Sequence, residues 1–160
     1  MRAPRDVAAV AAGAVVALNL AAEYLLLTWR FADAVLIPGL LNFHMTWNRG
    51  VSFSLLWQDS DTGSLLLCGF LIVIVALLSR MAWRARDRLS ALGLGLIIGG
   101  ALGNLYDRLA WHAVFDFLFV HLGRTPLFVC NIADIPITLG ALCLLFDALR
   151  PQRPAEGVSP

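Results

Sequence analysis

Gly99-Gly-Ala-Leu-Gly-Asn-Leu-Tyr-Asp-Arg108, followed by Val114-Phe-Asp-Phe117 and Cys130-Asn-Ile-Ala-Asp134, is the stretch that decides how this chain folds. Three aspartates (Asp107, Asp116, Asp134), two asparagines (Asn104, Asn131) and Arg108 lie here between two strongly apolar runs. Ionisable groups at a membrane boundary are costly unless paired or used, so each is a candidate for function. The upstream run also carries Gly93, Gly95, Gly99, Gly100 and Gly103, whose missing side chains permit close helix–helix approach in lipid.

Composition agrees with a membrane setting. The 160 residues make one domain by length, and 59% of them are hydrophobic. Charged residues are 14% of the chain, against roughly 25% in a soluble globular protein. Mean hydropathy is +0.77. A net charge of +1 gives no basis for nucleic-acid binding. All 12 basic residues are arginine, which excludes a lysine base, a Schiff base and a serine–lysine dyad. Cys68, Cys130 and Cys143 are odd in number and follow no repeated spacing, so they read as structural thiols rather than a disulfide framework or zinc site.

Moving outward, four apolar spans are expected at about 7–27, 64–83, 89–106 and 132–149. In the first, Asn19 and Glu23 are four residues apart and share a helical face, which is expected to turn into the bundle. Between the first two spans, residues 29–63 read as an outer β region. Phe43, Met45 and Trp47 alternate there with Asn42, His44, Thr46 and Asn48. Trp29, Trp47 and Trp57 fit interfacial anchors, Asn48-Arg49-Gly50 is a turn signal, and Asp59 and Asp61 fit a solvated loop. Residues 110–130 read as a second outer segment with one small amphipathic element at Val114–Val120. Residues 151–160 read as a disordered tail. The head, the 80–88 loop and the tail hold eight of the 12 arginines, which predicts that both termini face the cytoplasm.

This topology gathers Asn48, Asn104, Asp107, Arg108, Asp116, Asn131 and Asp134 near the outer ends of the helices. His44, His112 and His121 are scattered and lack metal-ligand spacing, and they read as interfacial or loop histidines. No Gly-x-Ser-x-Gly elbow and no phosphate loop is present. The carboxylates remain. Two aspartates held close cannot readily both ionise, so one keeps a proton near neutral pH while the other accepts one from water. Asparagine amides could hold a substrate backbone, and an arginine could stabilise a developing oxyanion. Alternatively, each aspartate pairs with Arg108 or caps a helix; Asp134 fits a helix start.

The chain resembles the bacterial lipoprotein signal peptidases (signal peptidase II). Asn48-Arg-Gly-Val-Ser-Phe53 is similar to that family's Asn-x-Gly-x-Ala/Ser-Phe block. Gly99–Arg108 matches its Gly-Gly-Ala-x-Gly-Asn-x-x-Asp-Arg block, Val114–Phe117 its Val-x-Asp-Phe block, and Asn131–Asp134 its Asn-x-Ala-Asp block. The resemblance implies an all-α polytopic fold of four transmembrane helices with a small outer (periplasmic) β-cradle and a short amphipathic segment. It implies an aspartyl endopeptidase of the bacterial inner membrane that cuts diacylglyceryl-modified prolipoproteins just before the lipidated cysteine. Asp116 and Asp134 would be the catalytic dyad. Asn48, Asn104, Arg108 and Asn131 would contact substrate and shape the site, with Gly50, Asp107 and Ala133 in support. No metal or cofactor is implied. The expected partners are prolipoproteins and membrane lipid, with the chain a monomer and no nucleic acid involved. One departure stands out: the family's usual first-helix Asp-x-x-x-Lys pair is replaced by Asn19 and Glu23.

Two other classes remain to be weighed. A proton-relaying transporter would spread polar residues through helix depth, whereas the second and fourth spans are nearly clean in their middles. A catalytically silent homologue is disfavoured by the presence of both aspartates.

Overall fold

A computed structural model describes residues 3–29, 31–49 and 61–150. Gly50, Ser52, Trp57, Asp59 and the 151–160 tail therefore lie outside the described residues. Within them run four helices: α1 (Pro4–Trp29), α2 (Asp61–Arg84), α3 (Arg88–Trp111) and α4 (Asp134–Leu149). Four strands join them: β1 (Ala34–Ile37), β2 (Leu41–Asn48), β3 (Val114–Leu122) and β4 (Thr125–Cys130).

Three of the helices are long and apolar enough to cross a membrane: Pro4–Trp29, Gly63–Arg84 and Arg88–Trp111. At ~1.5 Å per residue each covers the ~30 Å hydrocarbon core. The fourth expected span, 132–149, contains a helix of only 16 residues. That reaches ~24 Å, because residues 132–133 form a turn before it rather than helix.

The glycine-rich α3 is the hub, packing against α1, α2 and α4. Its glycines act by absence. A methyl group at Gly99 would lie 2.7 Å from the Ala12 carbonyl oxygen, and one at Gly93 would lie 2.9 Å from that of Gly140. The helices touch backbone to backbone, as lipid-embedded helices do when small residues line their contact. α2 and α4 turn apolar side chains such as Leu66, Phe70, Leu142 and Phe146 outward. Such a belt is stable against lipid and would be a liability in water.

Outer residues 29–63 were expected to hold the whole β region, but they contribute two of its four strands. The other two come from the second outer segment. Val114–Val120, expected as an isolated amphipathic element, belongs to the inner strand β3. The sheet order is β1-β2-β3-β4, antiparallel throughout. Residues 114–117 are buried in succession, so β3 does not alternate in the manner of a half-exposed strand. The two hairpin tips are tied together: Gly123 N–H donates to Gly39 O at 2.9 Å, and His121 N–H donates to Leu40 O at 2.9 Å. Gly39 and Gly123 have φ of 76° and 59°, the left-handed conformation that tight turns require.

The strict alternation expected in β2 is interrupted. Phe43 faces Leu118 and Thr46 faces Asp116, three steps on one strand against two on the other. This bulge carries one extra residue and exchanges the faces beyond it. Thr46 and Asn48 therefore share the face of Asp116, while Trp47 packs on Phe115 with ring centroids 5.1 Å apart.

Candidate active site

The sheet and the ends of α3 and α4 deliver the polar residues to one place. Asp116 sits on β3 and is 2% exposed. Its Oδ2 accepts a hydrogen bond from Asn48 Nδ2 at 2.9 Å, the contact that the β2 bulge makes possible. Burial pushes the Asp116 carboxyl up to about 7. The Asn48 bond opposes this by favouring the charged form, the charge of Asp134 adds to it, Arg108 opposes it and Asp107 adds to it. Asp116 is thus poised to hold a proton near neutrality.

Asp134 opens α4, and its surroundings are amide donors. Asp134 Oδ2 accepts from Asn131 N–H at 3.1 Å, while Asn131 Oδ1 accepts from Ala133 N–H at 2.8 Å and Asp134 N–H at 3.2 Å. The side chains of positions 131 and 134 thus cap each other's backbone reciprocally, with the three-residue spacing of a capping box. Asp134 Oδ1 accepts from Asn104 Nδ2 at 3.3 Å, and Asn131 Nδ2 donates to Asn104 Oδ1 at 2.8 Å. The asparagines form a lattice that orients the Asp134 carboxyl. Helix-start capping and the fixing of the Asp134 carboxyl are the same set of bonds.

Arg108 lies one turn beyond Asn104 and donates from Nη1 to Asn104 O at 3.2 Å. Its charge reaches Asp116, Asp107 and Asp134 together. Asp107 points away from this centre. It is fully buried, and its Oδ2 accepts from Phe115 N–H at 3.0 Å. Ala133 is also fully buried, against Gly100 of α3, where its carbonyl oxygen would lie 2.5 Å from an added methyl group. Asn48, Asn104, Arg108, Asp116, Asn131 and Asp134 are therefore brought together, with Asp107 and Ala133 behind them; Gly50 lies outside the described residues.

Cys130 stands beside this centre. Burial, and then the charges of Asp134 and Asp116, push its thiol up to about 11, so it stays protonated and is a poor nucleophile. The histidines stand apart: Nδ1 of His44 lies 2.7 Å from Asp33 Oδ2, Nδ1 of His121 lies 2.8 Å from Gly123 O, and His112 ends α3. Among the described residues no group of three or more His, Cys, Asp or Glu side chains could hold a metal ion.

Two participants were not singled out from the sequence. Thr46 faces Asp116 only because of the bulge, which has no sequence signature. Phe115 contributes its backbone N–H, a group every residue except proline carries.

A profile described as signal peptidase (SPase) II matches residues 11–150. The lipoprotein signal peptidase of Methylorubrum extorquens (strain PA1) is 44% identical over 123 residues, covering 77% of this chain and 68% of that protein. The lipoprotein signal peptidase of Methylobacterium radiotolerans is 40% identical over 132 residues, 82% of this chain and 74% of that protein. A bacterial membrane enzyme solved by the in meso method shares the fold, with a TM-score of 0.73 over 91% of this chain and 94% of that one at 22% identity. With its family profile matched along most of its length, this bacterial membrane protein belongs to the signal peptidase II family of aspartic-type peptidases.

Proposed function

We propose that the chain is an intramembrane aspartyl endopeptidase that removes signal peptides from diacylglyceryl-modified prolipoproteins, cutting just before the lipidated cysteine, with Asp116 and Asp134 as its dyad. The observation that carries this reading is a buried Asp116, held by Asn48 and pushed up by burial, in one polar cluster with an Asp134 surrounded by amide donors. Two carboxyls in environments that differ in this way divide into an acid and a base.

In the reaction, Asp134 accepts a proton from water as the water oxygen bonds to the scissile carbonyl carbon. Asp116 gives its proton to the carbonyl oxygen, and Arg108 stabilises the charge that develops there. The C–N bond then breaks. The leaving nitrogen takes the proton held by Asp134, and Asp116 recovers its own from the hydroxyl as the carboxylic acid forms. Protons and electrons balance, and the dyad returns to its starting state. Asn48, Asn104 and Asn131 hold the two carboxyls and offer amides to the substrate backbone.

The whole chain then forms one peptidase domain, with α4 as the fourth, short span and both termini cytoplasmic. The sheet lies at the outer surface of the inner membrane, and the substrate's lipid chains enter sideways from the bilayer. A monomer suffices, because every proposed site residue comes from one chain.

The test is the gel mobility of a diacylglyceryl-modified prolipoprotein incubated with wild type, Asp116→Asn or Asp134→Asn, with folded yield in detergent measured alongside. Cleavage by wild type alone supports the dyad. Near-normal turnover by either folded variant would make that residue structural.

A further inference from the structure

A second pair of carboxyls lies behind the first, and the dyad chemistry leaves it unused. Glu23 on α1 is 4% exposed, and Asn19 and Asp107 are fully buried. Asn19 packs on Gly103, where a methyl group would lie 3.0 Å from its Nδ2. That close approach sets the Asn19–Glu23 turn of α1 against the Gly103–Asp107 turn of α3. Asn19 Nδ2 donates to Glu23 Oε1, and the same approach brings the Glu23 carboxyl against that of Asp107.

An ionised carboxylate only accepts hydrogen bonds, so two carboxyls bond to each other only when one carries a proton. The neighbouring groups say which. Asp107 Oδ2 already accepts from Phe115 N–H, and Arg108 adds a favourable charge, so the ionised form belongs at Asp107. Among the described residues no donor bonds the buried Asp107 Oδ1, which leaves it free to accept a carboxylic O–H. Among the described residues, Glu23 receives a neutral amide bond from Asn19 and no bond from a cation.

We propose that Glu23 is held as a neutral carboxylic acid that donates to Asp107, and that it acts as a positioning residue for the dyad. The chain of contacts runs from Asn19 through Glu23 and Asp107 to Phe115 N–H, one residue before Asp116. Glu23 locks the Asp107 carboxylate, and Asp107 locks the part of β3 from which Asp116 projects. The role assigned to Asp116 rests on the proposed dyad; the protonation of Glu23 does not.

The experiment exploits an unusual economy of sequence: the chain has two glutamates, Glu23 and Glu156. Isotope-labelled glutamate in a Glu156→Gln background makes Glu23 the only labelled carboxyl, and infrared spectroscopy at neutral pH should show the shifted carbonyl band of a protonated acid. In the same assay as above, Glu23→Gln keeps an acceptor for Asn19 and a permanent donor for Asp107. Its kcat should stay within about 3-fold of wild type, whereas Glu23→Ala should lose roughly 10-fold or more in kcat with little change in KM. A merely space-filling role would also separate glutamine from alanine, so Glu23→Met, which keeps the length and bulk without a donor, decides: it should lose kcat as Glu23→Ala does, and Glu23→Met turnover equal to that of Glu23→Gln overturns the proposal.

No protonated-acid band, or a kcat loss in Glu23→Gln equal to that in Glu23→Ala, overturns the proposal and leaves the dyad intact. The band needs no turnover, so absence of cleavage by wild type with the band present overturns the dyad reading instead. Should Glu23→Ala fail to fold, the glutamine variant and the band still decide.

Discussion

Asp116 and Asp134 stand at the sheet end of the bundle, and Glu23 and Asp107 stand a few residues behind them, sealed between α1 and α3. Both are pairs of carboxyls with asparagine partners and the same arginine within electrostatic reach. Their differences lie in access and in what the partners are. Asp134 is only partly buried and takes its bonds from Asn104 and Asn131, so water and a substrate can approach it. Glu23 and Asp107 are both buried, with Asp107 held on a backbone N–H, so neither member of that pair is open as Asp134 is. On the proposed dyad, Asp134 is the carboxyl open to water and substrate, Asp116 being as buried as Glu23, and the inner pair holds structure.

The sharpest way to break this comparison is to neutralise one member of each pair. Asp116→Asn or Asp134→Asn should lower kcat by roughly 10²–10⁴-fold, the span of general acid–base contributions, measured as prolipoprotein turnover by folded protein. If Glu23→Gln falls as far, the two pairs are not different in kind.

Next in size is the effect of pH. Activity requires one proton on the dyad, so kcat/KM should fall as pH rises through about 7, where Asp116 ionises. Stability follows the same sign. Folded Asp116 holds its proton more tightly than the ~3.9 of an unfolded aspartate, so its contribution favours the folded state at low pH and is lost as pH rises from ~3.9 through about 7. Asp116→Asn removes that loss and should stabilise the protein by roughly 1–4 kcal/mol at pH 8, with little gain at pH 4. Thermal unfolding at the two pH values measures it.

Asn48→Ala sharpens the outer pair. It deletes a bond that favours ionised Asp116, so the alkaline limb of the kcat/KM profile should move upward, with a loss near neutrality of roughly 10-fold. Gly99→Ala should cost about 1–3 kcal/mol, read as a lower melting temperature, because the new methyl presses on the Ala12 carbonyl of α1. Since α1 carries Asn19 and Glu23, kcat should drop together with stability. Cys130→Ser should do least, leaving turnover within about 3-fold of wild type, since a thiol pushed up to about 11 supplies no thiolate.

Much of this arrangement could be read before folding. The four-residue spacing of Asn19 and Glu23 foretold a polar face turned inward, and both side chains are buried. The glycines of α3 foretold close helix–helix approach, and their backbones do meet α1 and α4. Asn131 and Asp134 were legible as a helix start, and their reciprocal capping bears this out. β3 was not legible as a strand, because it is covered on both faces and loses the alternation that marks one. Register in β2 was beyond reach of the sequence, because a bulge between Phe43 and Thr46, with no mark in the residues, moves Asn48 onto the face of Asp116. Glu23 was paired with Asn19 alone, since its other partner lies 84 positions away on α3.

What the sequence determined by itself was local and compositional: apolar length, helical faces, capping spacings and the motif blocks that mark the family. These follow from periodicity and from the cost of burying charge, which act on neighbours along the chain. What only the tertiary structure decided was pairing. Which carboxyl meets which, which asparagine reaches Asp116, and which carboxyl can carry a proton all depend on helix contact and strand register. Those are set by packing between distant segments, where one inserted residue changes which side chains meet.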